Sequence, residues 1–273
     1  MLKIEGVYPA LITPFTKDDE VDKDGLRRLV EYMVEGGVAG IVPCGTTGES
    51  ATLSHKEHEE VIDVVVDCSK VPVIAGAGSN NTREAVEFTK HAADAGADAC
   101  LLITPYYNKP NVKGLKEHFK RIGDSVEIPL ILYNIPSRTG QNVSAGTMVE
   151  LASEITNIKG VKEASGDLKQ VGAIIRSVAE QGLDFTVVAG DDFLTLPIMS
   201  LGGKGVISVA ANVVPREMTE MVAAMLNGDT GKAKEINIRL FSLFESMFLE
   251  TNPIPVKKAA EMMGLVETED VRL

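Results

Sequence analysis

Cysteine is scarce. Cys44, Cys68 and Cys100 are the three in 273 residues. Their spacing, 24 and then 32 residues, fits no zinc pattern. An odd, sparse set of thiols suits a reducing compartment rather than a disulfide framework. Basic charge is also short. Lys and Arg total 27 against 39 Asp and Glu, a net charge of −12. Phosphate backbones need a basic footprint, so this balance argues against a nucleic-acid partner and against an anionic membrane surface. A small anionic substrate remains compatible, because a few local cations can outweigh the mean field. No apolar run approaches the roughly 18 residues needed to span a bilayer. The start, Met1-Leu2-Lys3-Ile4-Glu5-Gly6, lacks a signal-peptide core. A cytoplasmic protein is expected. Low-complexity and linker-like stretches are missing too. With 44% apolar and 24% charged residues, the chain has the makeup of a globular enzyme.

What is present is a recurrent unit: a short apolar run, a polar or Gly-rich break, then an amphipathic stretch. The runs cover residues 7–12, 40–44, 71–75, 99–103, 130–133, 158–162, 185–189 and 205–209. Runs of this length, rich in Val and Ile, predict parallel strands buried on both faces. Between them lie helix signals. Ser54-His55-Lys56-Glu57 reads as a capping box, and Asn81-Thr82-Arg83-Glu84 resembles one. Gly96 stands where a helix C-terminus wants glycine. Eight strands alternating with helices predict an α/β fold, a (β/α)8 TIM barrel over 1–212. Helical stretches near 215–227, 232–250 and 253–263 predict a C-terminal helical appendage over 213–273. An open doubly wound sheet would want Gly-x-Gly-x-x-Gly after a strand, and Gly76-Ala77-Gly78-Ser79-Asn80-Asn81 lacks the third glycine.

In such a barrel, chemistry lies at the C-terminal ends of the strands. Lys162 ends the sixth run. Burial disfavours its ammonium form, and a neutral amine attacks carbonyls to give Schiff bases. The plainer alternative is a lysine that reaches solvent or pairs with Glu163. Thr46 and Thr47 lie between Gly45 and Gly48, where freed backbone N–H groups and two hydroxyls suit a carboxylate; a simple βα turn is the alternative. Tyr133, Tyr106 and Tyr107 are candidate proton carriers or rim packing. Arg138 offers a fork to a carboxylate, or else is a solvated loop residue. His55 and His58 have a spacing seen in metal sites, but no third ligand matches, so a helix face is the better account and no metal is expected. Gly202-Gly203-Lys204-Gly205 is a tight turn and not a P-loop, since it precedes a strand and lacks the final Ser or Thr. The cysteines are expected to pack.

Taken together, these residues resemble the dihydrodipicolinate synthase family of pyruvate-dependent class I aldolases, to which N-acetylneuraminate lyase is related. The resemblance runs from Gly6 to the C-terminus. It rests on Gly45-Thr46-Thr47-Gly48-Glu49-Ser50, Thr104-Pro105-Tyr106-Tyr107-Asn108-Lys109-Pro110, Leu132-Tyr133-Asn134-Ile135-Pro136-Ser137-Arg138-Thr139-Gly140, Gly160-Val161-Lys162-Glu163-Ala164, Gly205-Val206-Ile207-Ser208-Val209 and Asn252-Pro253-Ile254-Pro255-Val256-Lys257. It implies that Lys162 forms a Schiff base with pyruvate and that Thr46, Tyr107 and Tyr133 relay protons. Thr47 would bind the pyruvate carboxylate, Arg138 that of L-aspartate 4-semialdehyde, and Gly190 and the Ile207 carbonyl would line the site. No cofactor is implied. A homotetramer of tight dimers is, with Tyr107 entering the neighbouring subunit's site. Ser50, Ala51, His55, His58, Asn80, Glu84 and Tyr106 match the family's inhibitory L-lysine site. The family usually continues past the segment equivalent to Val271-Arg272-Leu273 into a further helix, whereas this chain stops, which bears on how the appendage packs. Two rival readings are a sugar-acid aldolase of the same superfamily and a non-catalytic keto-acid sensor. The Ser137-Arg138-Thr139 loop and the double threonine speak against the first, and the intact lysine, threonine and tyrosines against the second.

Overall fold

The computed structural model describes residues 2–272. Met1 and Leu273, on which the readings of the two chain ends partly rest, lie outside the described residues. The chain is α/β and divides into two compact units.

The first unit is Met1–Glu5 with Ala77–Val206. Its strands are β3 (Ala99–Ile103), β4 (Leu130–Asn134), β5 (Ile158–Glu163) and β6 (Thr186–Ala189), following β1 (Gly6–Pro9) and β2 (Ile74–Gly76) in the chain. β3 to β6 pair in parallel, each with the next. A strand covered on both faces is mostly apolar, and accordingly β3 is Ala, Cys, Leu, Leu and Ile while β4 runs Leu, Ile, Leu before ending in Tyr133 and Asn134. Helices Thr82–Ala95, Val112–Gly123, Ala145–Glu154 and Leu168–Glu180 intervene. Asn81 caps the first of these by accepting from the Arg83 N–H, and Gly96 ends it at φ +98°. This start is not the reciprocal box expected: the Glu84 carboxylate instead takes the Ser79 hydroxyl.

The second unit is Gly6–Gly76 with Ile207–Leu273, so the division falls within β7 (Gly205–Ser208). Here the sequence reading needs revision. Seven strands occur among the described residues, not eight. The run 40–44 appears only as isolated parallel bridges, Ala10 to Val42 and Ile41 to Val73. Its backbone is nonetheless satisfied on both sides: the Leu11 N–H donates to the Val42 carbonyl, the Val42 N–H to Pro9, the Ile41 N–H to Pro72 and the Gly76 N–H to Pro43. Prolines at 9, 43 and 72 remove the donors that would extend these bridges into a ladder. Cys44, at φ +53°, then turns the chain away. Ser54 and Glu57 form the expected capping box at the start of helix His55–Cys68. Helices Pro215–Leu226, Thr230–Ser246 and Ile254–Met262 follow β7, and the first two pack on each other. The three thiols are free, Cys44 and Cys100 buried and Cys68 half-buried. Among the described residues no helix is long and apolar enough to cross a membrane.

Candidate functional site

Residues in register on neighbouring parallel strands point to the same face, and successive residues on one strand point to opposite faces. Lys162 on β5 is in register with Tyr133 on β4 and Val188 on β6. The Lys162 Nζ accordingly lies 4.2 Å from the centre of the Tyr133 ring. Glu163, one residue on, faces the other way with its register partner Asn134. The Asn134 Nδ2 donates to both Glu163 carboxylate oxygens at 3.1 Å, and the Ser165 N–H donates to Oε1 at 2.8 Å. Glu163 is therefore committed elsewhere, and the Lys162–Glu163 pairing that sequence alone left open is ruled out by strand geometry.

Lys162 is 4% exposed. Burial pushes its pKa down to about 8; Asp192 opposes that shift and Arg138 adds to it. Gly190 makes room for the lysine stem: a Cβ there would stand 3.1 Å from both Lys162 Cγ and Cε and 2.8 Å from the Ala164 Cβ. Its N–H donates to the Glu163 carbonyl, tying the end of β6 to β5. Arg138 lies in a single helical turn, Pro136–Thr139, directly after β4, and is exposed. Asp192, buried at 1%, follows Gly190 in the loop after β6. Sequence reasoning passed over it, although a carboxylate at a strand's C-terminal end was the available signal. Tyr107 follows β3 at φ +68° and is 90% exposed. Tyr106 is half-buried, and its carbonyl accepts from Asn80 Nδ2 at 3.2 Å. Asn80, Glu84 and Tyr106 thus gather at one place in this unit, with Ser79 bridging to Glu84.

The second unit carries Thr46 and Thr47. The turn at 45–50 spends the N–H groups of Gly48, Glu49 and Ser50 on the carbonyls of Gly45 and Thr46. Among the described residues it leaves the N–H groups of Thr46 and Thr47 unspent, the pair that a carboxylate would use. Gly48 is required, since a Cβ would meet the Leu11 carbonyl oxygen at 2.9 Å. Thr46 is half-buried and Thr47 is 2% exposed, its Oγ1 accepting from Asn252 Nδ2 at 3.0 Å. Glu49, at φ +58°, has a fully buried carboxylate whose Oε1 lies 2.6 Å from Lys257 Nζ. Its other oxygen accepts the Arg272 N–H at 2.7 Å. Glu49, Asn252 and Lys257 stood in the family-like segments of the sequence without an assigned role, because partners more than 200 residues apart leave no local pattern. Ile207 is fully buried in β7. Ser50 is half-buried and Ala51 exposed. On the following helix His55 is exposed and His58 buried, so the two do not share one solvated face. Among the described residues no cluster of three or more His, Cys, Asp or Glu is arranged to hold a metal ion.

Comparison with known proteins finds relatives over nearly the whole chain. The family model described as the dihydrodipicolinate synthetase family matches residues 3–273. The 4-hydroxy-tetrahydrodipicolinate synthase of Methanosarcina barkeri is 62% identical over 261 residues, 96% of this chain and 89% of the relative. Among solved structures, a chloride-inhibited dihydrodipicolinate synthase from Acinetobacter baumannii complexed with pyruvate superposes with a TM-score of 0.95 at 46% identity, covering 99% of this chain and 92% of that one. A lysine-bound structure from Cyanidioschyzon merolae gives 0.92 at 43% identity, covering 96% and 89%.

Proposed function

The chain belongs to the dihydrodipicolinate synthetase family, and on that premise we propose that Lys162 captures pyruvate as a Schiff base and passes it to L-aspartate 4-semialdehyde. The activity is that of a 4-hydroxy-tetrahydrodipicolinate synthase, a lyase. The observation that carries the residue assignment is the buried amine: Lys162 has a pKa near 8 and no carboxylate hydrogen-bonded to it among the described residues.

The chemistry follows from that amine. Neutral Lys162 attacks the pyruvate ketone carbon, and the oxygen takes up a proton to give a carbinolamine. Loss of water yields an iminium, whose positive nitrogen draws electrons from the neighbouring methyl group. A methyl proton leaves, giving an enamine. The enamine carbon adds to the aldehyde of the second substrate, whose oxygen is protonated to a hydroxyl. The substrate's own amino group then attacks the iminium carbon and displaces Lys162. The Tyr133 ring lies beside Nζ, which supports a part for this residue in moving protons as the carbinolamine forms and collapses. Thr46 and Tyr107 complete the proposed relay. Thr47, with the unspent N–H groups of its turn, takes the pyruvate carboxylate, while Arg138 takes that of the semialdehyde. Gly190 and the Ile207 carbonyl line the path.

The pyruvate complex of the A. baumannii relative supports the choice of keto acid. The exposure and left-handed backbone of Tyr107 suit a residue that enters a neighbouring subunit, in a homotetramer built from dimers. The lysine-bound C. merolae relative supports L-lysine as an inhibitor held by Ser50, Ala51, His55, His58, Asn80, Glu84 and Tyr106. The TM-scores support a (β/α)8 barrel over 1–212 with the helices of 213–273 appended, and the free thiols suit the cytoplasm. Borohydride reduction with pyruvate tests the central claim. A mass increase located on Lys162 is expected, with none in Lys162→Ala of unchanged circular dichroism. An adduct that persists in Lys162→Ala refutes the assignment.

A further inference from the structure

A hydroxyl has one proton to give and two lone pairs to fill. Thr47 Oγ1 has one lone pair filled by the Asn252 amide, at 3.0 Å and with both residues buried. Among the described residues this is its one hydrogen bond, so the proton is turned away from Asn252 and left without an acceptor. A buried donor in that state calls for an acceptor from outside the chain. The same short segment holds the turn a second time. Lys257, five residues after Asn252, places its ammonium 2.6 Å from the Glu49 carboxylate and 4.1 Å from the centre of the Phe15 ring. Glu49 is a non-glycine residue at φ +58°, a conformation that persists only where surrounding contacts impose it. Residues 252 and 257 therefore grip the turn on either side of Gly48, at Thr47 by its hydroxyl and at Glu49 by its carboxylate.

We infer that Asn252 is a positioning residue for keto-acid recognition: its amide fixes the Thr47 hydroxyl as a donor to the pyruvate carboxylate, while the Lys257–Glu49 pair holds the turn that presents it. This rests on the carboxylate-binding reading of Thr47. It assigns to the Asn252–Lys257 segment a part in substrate affinity, and none in the bond-forming steps.

The test is steady-state kinetics on Asn252→Asp, Asn252→Ala, Thr47→Val and the Thr47→Val/Asn252→Ala double variant. Asn252→Asp keeps the size of the side chain but offers only acceptors, so it draws the Thr47 proton back. KM for pyruvate should rise about tenfold, the worth of one buried hydrogen bond to a charged group, while kcat at saturating pyruvate changes by less than about threefold. Asn252→Ala should raise KM in the parent and add nothing in the Thr47→Val background, as expected of two residues acting through one contact. The inference is overturned if Asn252→Asp leaves KM within twofold of the parent, or if Asn252→Ala raises KM equally in both backgrounds. If Thr47→Val leaves KM unchanged, the carboxylate reading falls and takes the inference with it. If Thr47→Val raises KM but Asn252→Asp does not, the inference alone falls. Should Asn252→Ala fail to fold, the near-isosteric Asn252→Asp carries the decision.

Discussion

Capture of pyruvate on Lys162 should stop accelerating with pH far earlier than an ordinary lysine would allow. Burial lowers the pKa from 10.5 to about 8, which amounts to roughly 3 kcal/mol against the charged form. At pH 7 roughly a tenth of Lys162 is then free amine, against about one part in three thousand for an unperturbed lysine, a gain on the order of 300-fold. The sharper contrast lies higher. Between pH 8 and pH 10 the amine fraction of Lys162 rises about twofold, whereas that of an unperturbed lysine rises about 80-fold. The assay is the rate of adduct formation at subsaturating pyruvate, quenched with cyanoborohydride and read by intact mass. A break near pH 8 followed by a plateau is expected. Asp192→Asn removes a carboxylate that favours the ammonium, so its break should move to lower pH. Arg138→Gln removes a cation that disfavours it, so its break should move to higher pH. A rate still climbing tenfold between pH 9 and pH 10, or a break that moves upward in Asp192→Asn, would refute the assignment of Lys162 as a dry, uncharged nucleophile.

Breaking the buried pair between Glu49 and Lys257 should cost far more than removing it whole. Glu49→Gln or Lys257→Met alone strands a buried partner and should lose about 3–5 kcal/mol in urea unfolding, while Glu49→Leu/Lys257→Met recovers most of it; a single variant within about 1 kcal/mol of the parent would contradict this. Millimolar L-lysine should slow turnover and raise the melting temperature, with both effects weakened in Glu84→Ala. An unchanged rate and an unchanged melting temperature would leave His55, His58 and Glu84 with structural roles only.

How much of this was legible in the sequence depended on distance along the chain. The runs 99–103 and 130–133 declared themselves because a strand covered on both faces is mostly apolar, and β3, β4 and β5 begin where the runs 99–103, 130–133 and 158–162 begin. Lys162 stood out as the cation at the end of its run, whereas Lys159 in the same run pairs with Asp184. The capping box at Ser54 and Glu57 was readable because its partners are three residues apart. The run 40–44 misled because apolar content reports burial and not pairing, and the prolines at 9, 43 and 72 left it bridged without a ladder. Asn252, Lys257 and Glu49 were invisible as a group. Each reads alone as an ordinary polar residue, and only the fold brings them together across more than 200 positions.

The two buried lysines show why burial by itself does not assign a role. Lys162 and Lys257 are 4% and 0% exposed, and desolvation is the leading cause lowering both pKa values. They differ in what faces the amine. Lys257 has a carboxylate 2.6 Å away that opposes the shift through both a hydrogen bond and its charge, and the Asp270 carbonyl accepts from it as well. Two of its three donors are spent on them, and it serves as a strut for the turn of Thr46 and Thr47. Lys162 has a tyrosine ring and the more distant charges of Asp192 and Arg138, with no carboxylate hydrogen-bonded to it among the described residues. A lysine whose donors are spent inside the protein cannot attack a carbonyl, and one left unpaired in a dry setting holds its charge weakly. The proposal of Lys162 as the nucleophile thus rests less on its burial than on its lacking the hydrogen-bonded carboxylate that Lys257 possesses.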